Sequence, residues 1–319
     1  MHASSDADGR PVPGVGPRVA LLVNPASGHG RAAAIGEAVA EHLQMRCDLV
    51  VLIGADAAES AGMLAAVTAG AEGAVDAVVV CGGDGIVHLA VNALAGTQLP
   101  LGIVPAGSGN DTAAVLGLPH DPLLAAEAAI DALVAGRNRT IDLGQCDGAP
   151  VVPGRVDRWF VGLLYAGLDA AVNETANGLR RPRGRRRYDV AIALELLRLR
   201  PRRVRLTIDG RTDEIDITLV AVGNGPQYGG GKRMAPDARW DDGLFDITVV
   251  GKVSRFTLAR LAPTLPRAGH IGHPAVTTFR GRTVTIDGDV GPAYADGERI
   301  GPVPVTATCR PGVLRVLTR

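Results

Sequence analysis

Three glycine-rich segments in the first half of the chain carry the residue types that hold phosphate. They are Asn24-Pro25-Ala26-Ser27-Gly28-His29-Gly30, Gly82-Gly83-Asp84-Gly85 and Pro105-Ala106-Gly107-Ser108-Gly109-Asn110-Asp111. Glycines let backbone N–H groups approach an anion, and the helix N-terminus that follows such a loop adds a favourable dipole. One loop of this kind reads more readily as a tight turn. Three on the same edge of a parallel sheet point to a phosphate site. Asp84 is the exception, because a carboxylate inside an anion-binding loop repels phosphate. A divalent cation such as Mg2+ between the two removes the conflict. The alternative is that Asp84 caps the helix opening at Gly85.

The elements that position these loops follow from the apolar pattern. Runs at Val19–Val23, Leu49–Ile53, Ala77–Cys81 and Leu101–Val104 read as strands. Ala32–Leu43, Ala57–Ala69, Gly85–Leu94 and Leu123–Val134 between and after them read as helices. Alternation of this kind predicts βαβ units and a parallel sheet, and continuous apolar runs such as Val78-Val79-Val80 suit burial on both faces. From Thr140 the rhythm changes. Thr140–Gln145, Trp159–Tyr165, Val204–Ile208, Glu214–Val222, Leu244–Val250 and Thr283–Ile286 read as strands separated mostly by turn signals such as Asp209-Gly210-Arg211 and Asp287-Gly288-Asp289. That half is expected to be mainly antiparallel, with helical insertions near Asp189–Arg200 and Ser254–Leu265 and a last strand at Val313–Leu317.

Composition limits the function. The chain has 319 residues, room for about two domains, and its 33 Lys+Arg balance its 33 Asp+Glu. No global field draws it to nucleic acid, and 3 % aromatic residues leave little for base stacking. Cys47, Cys81, Cys146 and Cys309 form no CxxC pair, which speaks against a zinc knuckle or a disulfide framework and makes a reducing cytosol the simplest compartment. Residues 1–17 have no apolar core and read as a loose tail. No run is long and apolar enough to span a bilayer.

Val80-Cys-Gly-Gly-Asp-Gly-Ile86, with Ser108 in Leu101-Gly-Ile-Val-Pro-Ala-Gly-Ser-Gly-Asn-Asp111 lying 24 residues after Asp84, resembles the diacylglycerol kinase catalytic family. Bacterial diacylglycerol and lipid kinases belong to that family together with sphingosine and ceramide kinases. Val23-Asn-Pro-Ala-Ser-Gly28, Gly223-Asn224, Gly229-Gly-Gly231, Ala235-Pro-Asp-Ala-Arg-Trp-Asp-Asp-Gly-Leu-Phe-Asp246 and Asp296-Gly-Glu298 agree in the family's order, over roughly residues 18–319. The resemblance implies a Rossmann-like parallel α/β domain with glycine-rich nucleotide loops, a mainly antiparallel β-sandwich domain, and an active site in the cleft between them. Their expected bounds are 18–138 plus the returning strand 306–319, and 139–305 for the lipid-substrate domain. It also implies ATP-dependent phosphorylation of a lipid hydroxyl, with diacylglycerol converted to phosphatidic acid.

Carried over by position, the nucleotide contacts are Asn24, Pro25, Ser27 and Gly28 from the first loop. Gly82, Gly83, Asp84, Gly85, Ile86, Val87 and His88 come from the second, and Gly107, Ser108, Gly109 and Asn110 from the third. Asp242, with backbone carbonyls of Arg239 and Leu244, matches the bacterial Mg2+ site, an oxygen-only set that suits the ion. A plain hairpin turn is the other reading of Asp241-Asp242-Gly243. Glu298 matches the proposed proton acceptor, against the reading of a solvated turn acid. Asp84 is the competing base, as in sphingosine-type relatives; with Glu298 as base, Asp84 holds the Mg2+–phosphate group.

The chain also departs from the pattern. Ile86, His88 and Leu89 stand where most members have Thr and then Asn-Glu, and the usual Thr of the second strand is absent from Val50–Ile53. Loss of the Thr hydroxyl removes a phosphate hydrogen bond of ~1–3 kcal/mol, so weaker ATP binding or lower activity is expected. A lone His88 is more readily a packed or surface residue. Between Arg180 and Arg205 there are 11 arginines against Asp189 and Glu195 alone. They suit peripheral contact with an anionic membrane at its inner, cytoplasmic face, or else a solvated loop beside a helix. The partners expected are ATP and a lipid presented at a membrane surface, with a homodimer left open and nucleic acid excluded. The rival readings are an NAD kinase, which shares the Gly-Gly-Asp-Gly loop, and a catalytically weak lipid- or nucleotide-binding regulator.

Overall fold

The computed structural model describes residues 16–24, 31–71, 73–147, 158–182, 184 and 186–318. All but Gly16 and Pro17 of the expected tail lies outside them. The chain divides into two compact units, Met1–Ile141 with Gly312–Arg319, and Asp142–Pro311.

In the first unit, strands β1 (Arg18–Val23), β2 (Asp48–Ile53), β3 (Ala77–Gly82) and β4 (Leu101–Pro105) alternate with helices α1 (Arg31–Gln44), α2 (Ala57–Thr68) and α3 (Asp84–Leu94). The short α4 (Asp111–Val115) and α5 (Pro122–Val134) follow. The strands pair in parallel in the order β4-β3-β1-β2, and the end of β15 (Val305–Leu317) adds a fifth through Val316 beside Leu101. Every residue of β3 and β4 is buried, as strands covered on both faces require. Helix starts follow local chemistry. Asp56 caps α2 by accepting from the Ala58 and Glu59 amides at 2.8 and 2.9 Å. Asp121 caps α5 ahead of Pro122, whose missing N–H costs nothing at that position.

The second unit is an antiparallel β-sandwich-like fold. It contains β5 (Asn138–Asp147, entering from the first unit), β6 (Trp159–Phe160), β7 (Leu163–Gly167), β8 (Arg202–Ile208) and β9 (Arg211–Gly223). Then come β10 (Phe245–Gly251), β11 (Val276–Gly281), β12 (Thr283–Gly288), β13 (Pro292–Ala295), β14 (Glu298–Pro302) and the start of β15. The long β9 pairs with β8 over its first half and with β7 over its second, while β10 lies along its other edge. Phe160 stacks on Phe245 at 5.7 Å between ring centroids, inside a core that also takes Val220, Ile247 and Ile286. Helices α6 (Leu168–Gly178), α7 (Arg186–Leu197) and α8 (Arg255–Leu261), the last continued by a 3-10 turn at Ala262–Arg267, complete it.

Three sequence expectations need correction. Trp159–Tyr165 is two strands, because Val161 and Gly162 leave the ladder where Asn224 and Gly225 N–H groups bond to the Gly162 carbonyl. The sequence pattern does not single out the short helix α4, helix α6, strand β11 or the hairpin β13–β14. The last strand is longer than Val313–Leu317, and its earlier part, Val305–Thr308, pairs with β12.

Candidate active site

In the first unit, the second and third glycine-rich loops leave the ends of neighbouring strands β3 and β4 and touch backbone to backbone. A Cβ on Gly107 would lie 2.3 Å from the Gly83 Cα, so only glycine fits that contact. Asn110 takes a left-handed conformation (φ 57°) and folds its amide back on Gly107. It accepts from the Gly107 N–H at 3.0 Å and donates to the Gly107 carbonyl at 3.0 Å. Asn24, just after β1, donates its N–H to the Cys81 carbonyl of β3 at 3.3 Å, which holds the end of β1 beside β3. Pro25, Ser27 and Gly28 lie outside the described residues.

Asp84 occupies the first turn of α3, with Gly83 as the extended N-cap residue, so the helix opens one residue earlier than expected. It does not cap its own helix. Its carboxylate accepts from the Thr112 N–H at 3.3 Å, in the first turn of α4, and a Cβ on Gly109 would come within 2.7 Å of it. Asp84 thereby ties the two loops together. Gly85, Ser108 and Gly109 are exposed beside it.

The three residues that follow Gly85 are a correction. Ile86, Val87 and His88 are 1 %, 2 % and 0 % exposed, so their side chains belong to the core rather than to an open anion site. The Ile86 and Val87 amides already bond to the Gly83 carbonyl at 3.2 and 3.3 Å, and His88 Nε2 lies 3.2 Å from the Asn92 amide nitrogen. His88 is a packed histidine.

In the second unit, Asp296 and Gly297 form the two-residue turn between β13 and β14, with φ of 51° and 90°, the type I′ geometry that an Asp-Gly pair favours. Glu298, part-buried, is the first residue of β14. The turn is held by the Asp296 carboxylate, which accepts from Val161 N–H at 2.8 Å, Gly162 N–H at 2.9 Å and Leu163 N–H at 3.1 Å. The Val161 carbonyl accepts in turn from Asn224 Nδ2 at 3.0 Å and Trp240 Nε1 at 2.8 Å.

The same frame holds the Asp241-Asp242-Gly243 loop. The buried Asp142 donates its N–H to the Trp240 carbonyl at 2.7 Å, and its carboxylate accepts from Gly243 N–H at 2.7 Å. Sequence reasoning passed over Asp142; its one signal was an acid set between apolar residues in a strand. Asp242 accepts from Leu244 N–H at 3.1 Å and pairs with Arg280, whose Nε also lies 3.5 Å from Asp246. Arg239 pairs through its side chain with Asp241 at 3.0 Å.

These residues border a cavity of about 570 Å3 lined among others by Asp237, Asp242, Asp246, Thr248 and Arg280. Burial pushes the Asp246 carboxyl above its ordinary range, and Arg280 opposes that while Asp242 and Asp237 add to it. One oxygen of Asp246, in β10 beside the loop, is buried with no hydrogen-bond partner among the described residues, while Arg280 lies near the other. The loop's donors are oxygens only, the chemistry that suits Mg2+. Among the described residues no three carboxylate, His or Cys groups gather into a cation site, so backbone carbonyls such as those of Arg239 and Leu244 would have to complete one.

The arginine-rich stretch is partly neutralised. Arg198, Arg202, Arg203 and Arg205 pair with Glu195, Asp289, Glu214 and Asp287. Arg183 and Arg185 lie outside the described residues. Among those described, no helix is long and apolar enough to cross a membrane.

Comparison with known proteins covers both units. Residues 18–146 match the diacylglycerol kinase catalytic domain, and residues 162–318 match the YegS C-terminal NAD kinase beta sandwich-like domain. A diacylglycerol kinase of Mycobacterium tuberculosis (strain H37Rv) is 42 % identical over 304 residues, 94 % of either chain. One of Bacillus subtilis (strain 168) is 28 % identical over 215 residues, covering 66 % of this chain and 67 % of its own. A crystal structure of a diacylglycerol kinase from Bacillus anthracis superposes with a TM-score of 0.68 at 20 % identity, over 95 % of this chain and 97 % of that one, which establishes the shared fold.

Proposed function

From the premise that the chain belongs to the diacylglycerol kinase family and is a lipid kinase, we propose that it phosphorylates the free hydroxyl of diacylglycerol with ATP. The observation that carries this reading is the junction of the two glycine-rich loops. Gly83 meets Gly107 and Asp84 reaches the Thr112 amide, so the exposed backbone of Ser108 and Gly109 stands beside a fixed carboxylate.

The reaction follows from these groups. The lipid hydroxyl oxygen attacks the γ-phosphorus of ATP, the P–O bond to the β-phosphate breaks, and ADP leaves with that electron pair. Phosphatidic acid is the product. Glu298 accepts the hydroxyl proton, for which a carboxylate on a fixed turn is suited. Gly83, Gly85, Gly107 and Gly109 let the loop backbones approach the phosphates. Mg2+ supplies neutralisation of phosphate charge, and the residues that would hold it are Asp84 and, at the second unit's loop, Asp242 with the carbonyls of Arg239 and Leu244. Asn224, Trp240 and Asp142 act as positioning residues for the turns that carry Glu298 and Asp242.

The test is a kinase assay with ATP and a panel of presented lipids, with NAD as a further acceptor. Diacylglycerol turnover is expected; phosphorylation of NAD instead, or ATP binding without turnover, would overturn the reading. On the same lipid, Asp84→Asn is expected to abolish turnover in a folded protein. Glu298→Gln should cut kcat by ~10²–10⁴ with little change in the Kd for ATP. A Glu298→Gln protein that keeps more than about a tenth of wild-type kcat, with chemistry rate-limiting, removes Glu298 as the base.

A further inference from the structure

The stretch 247–286 contains six basic residues and no Asp or Glu, in a chain whose overall charge is balanced. Its centre is α8 and the 3-10 turn that continues it. Ser254 caps α8 by accepting from Thr257 N–H at 3.1 Å, and Leu258 and Leu265 pack inward with Val253 against the cluster of Tyr165, Leu219, Met234 and Tyr294. The opposite side is left to solvent. Phe256 there is 77 % exposed, against 67 % for Leu197, the next most exposed large apolar side chain among the described residues. Lys252 just before α8, Arg255 and Arg260 within it and Arg267 at the end of the 3-10 turn are all exposed, and none is in an ion pair or side-chain hydrogen bond among the described residues.

We infer that this face of α8, with Phe256 at its tip, docks the protein on an anionic lipid bilayer. The chemistry of the two surfaces matches. An aromatic ring settles at the boundary of headgroups and acyl chains, while unpaired cations on flexible stems reach lipid phosphates. A protein partner fits less well, since one ring among four cations offers little contiguous apolar surface for a stable interface. The arginine-rich stretch 180–205 is the weaker candidate for the same task, because four of its arginines already hold carboxylates inside the unit. The inference rests on the lipid-kinase reading only for the purpose of docking, namely access to a substrate that resides in the bilayer.

Vesicle co-sedimentation of the full chain without ATP tests it, with phosphatidylcholine vesicles containing or lacking about a third phosphatidylglycerol. Binding to the anionic vesicles is expected, and it should weaken as salt is added. Phe256→Ala should weaken it about tenfold, and the combined Arg255→Glu, Arg260→Glu and Arg267→Glu variant about a hundredfold. Circular dichroism and melting temperature should not change, since these side chains are exposed. Both variants should keep turnover on a short-chain diacylglycerol dissolved in buffer and lose it on vesicles. Wild-type protein that ignores anionic vesicles, or α8 variants that bind them normally, would overturn the inference. So would binding lost only on Arg180→Glu, Arg181→Glu and Arg186→Glu substitution, or retention on heparin that depends on the α8 cations without vesicle binding. Vesicle binding that follows α8 while no lipid is phosphorylated supports docking and counts against the kinase reading alone.

Discussion

Replacing Asp296 by Asn tests how the turn that bears Glu298 is held. Asn accepts the left-handed conformation of position 296, and Asn-Gly is itself a preferred type I′ pair, so the turn survives the change. What changes is the clamp. One carboxylate oxygen accepts from Gly162 and Leu163 and the other from Val161. The amide keeps an oxygen for the first two and sets an N–H group against the Val161 N–H. An unmade buried hydrogen bond costs ~1–3 kcal/mol, and a bond that loses its charged partner loses ~1 kcal/mol. For this part-buried site the total is about 3 kcal/mol, a fall in Tm of about 6–12 °C for a unit of this size. Thermal unfolding read by circular dichroism measures it, and kcat should fall while ATP affinity holds. Gly162→Ala disturbs the same contact from the other side, because its Cβ would lie 2.7 Å from the Asp296 carboxylate. The double variant should be little worse than either single one. A Tm loss below about 2 °C for Asp296→Asn, or full additivity in the pair, would refute the clamp.

Ile86→Thr places a hydroxyl in the core and is expected to destabilise by ~1–3 kcal/mol in urea unfolding without tighter ATP binding; a lower Kd for ATP would mean that the residue faces the phosphates after all. Gly107→Ala forces the two glycine-rich loops apart and should cost ~1–3 kcal/mol of overpacking together with ATP affinity; unchanged nucleotide binding by calorimetry would refute their contact. Asp242→Ala should abolish any rise in Tm caused by Mg2+, since an ion bound only to the folded chain stabilises it by mass action. An equal rise in wild type and variant would exclude Asp242 as a ligand.

Much of the first unit was readable in the sequence, because parallel strands buried on both faces announce themselves as unbroken apolar runs such as Ala77–Cys81. The second unit was harder where small or polar residues carry the packing. Helix α6 buries only Ala170, Val172 and Ala176, a stripe too weak to stand out. Strands β13 and β14 include Pro292 and Gly301, residues that argue against strands. The site divides in the same way. Loop composition marked Asp84, and the family resemblance marked Glu298 and Asp242, but the contacts that hold these loops span long stretches of sequence, 28 residues for Asp84 with Thr112 and 101 for Asp142 with Gly243. The expectation for Ile86, Val87 and His88 failed for a related reason: adjacency to a glycine loop does not tell which face of the following helix turns inward.

Strand β15 has a consequence for how the chain is made. Leu101 in β4 finds its outer neighbour, Val316, only after the whole second unit has been synthesised. A nascent chain that has completed β1 to β4 therefore holds an open sheet edge, the kind of surface that pairs with other chains. Its cover arrives last. Leu314, Val316 and Leu317 are almost wholly buried, so their late arrival closes the core as well as the sheet. Contacts between residues so distant in sequence form slowly. Expression of residues 18–141 alone should give an aggregating fragment, whereas a variant that joins residues 312–318 to the start of β1 through a flexible linker long enough to recross the parallel sheet should let the first unit fold and remain soluble on its own.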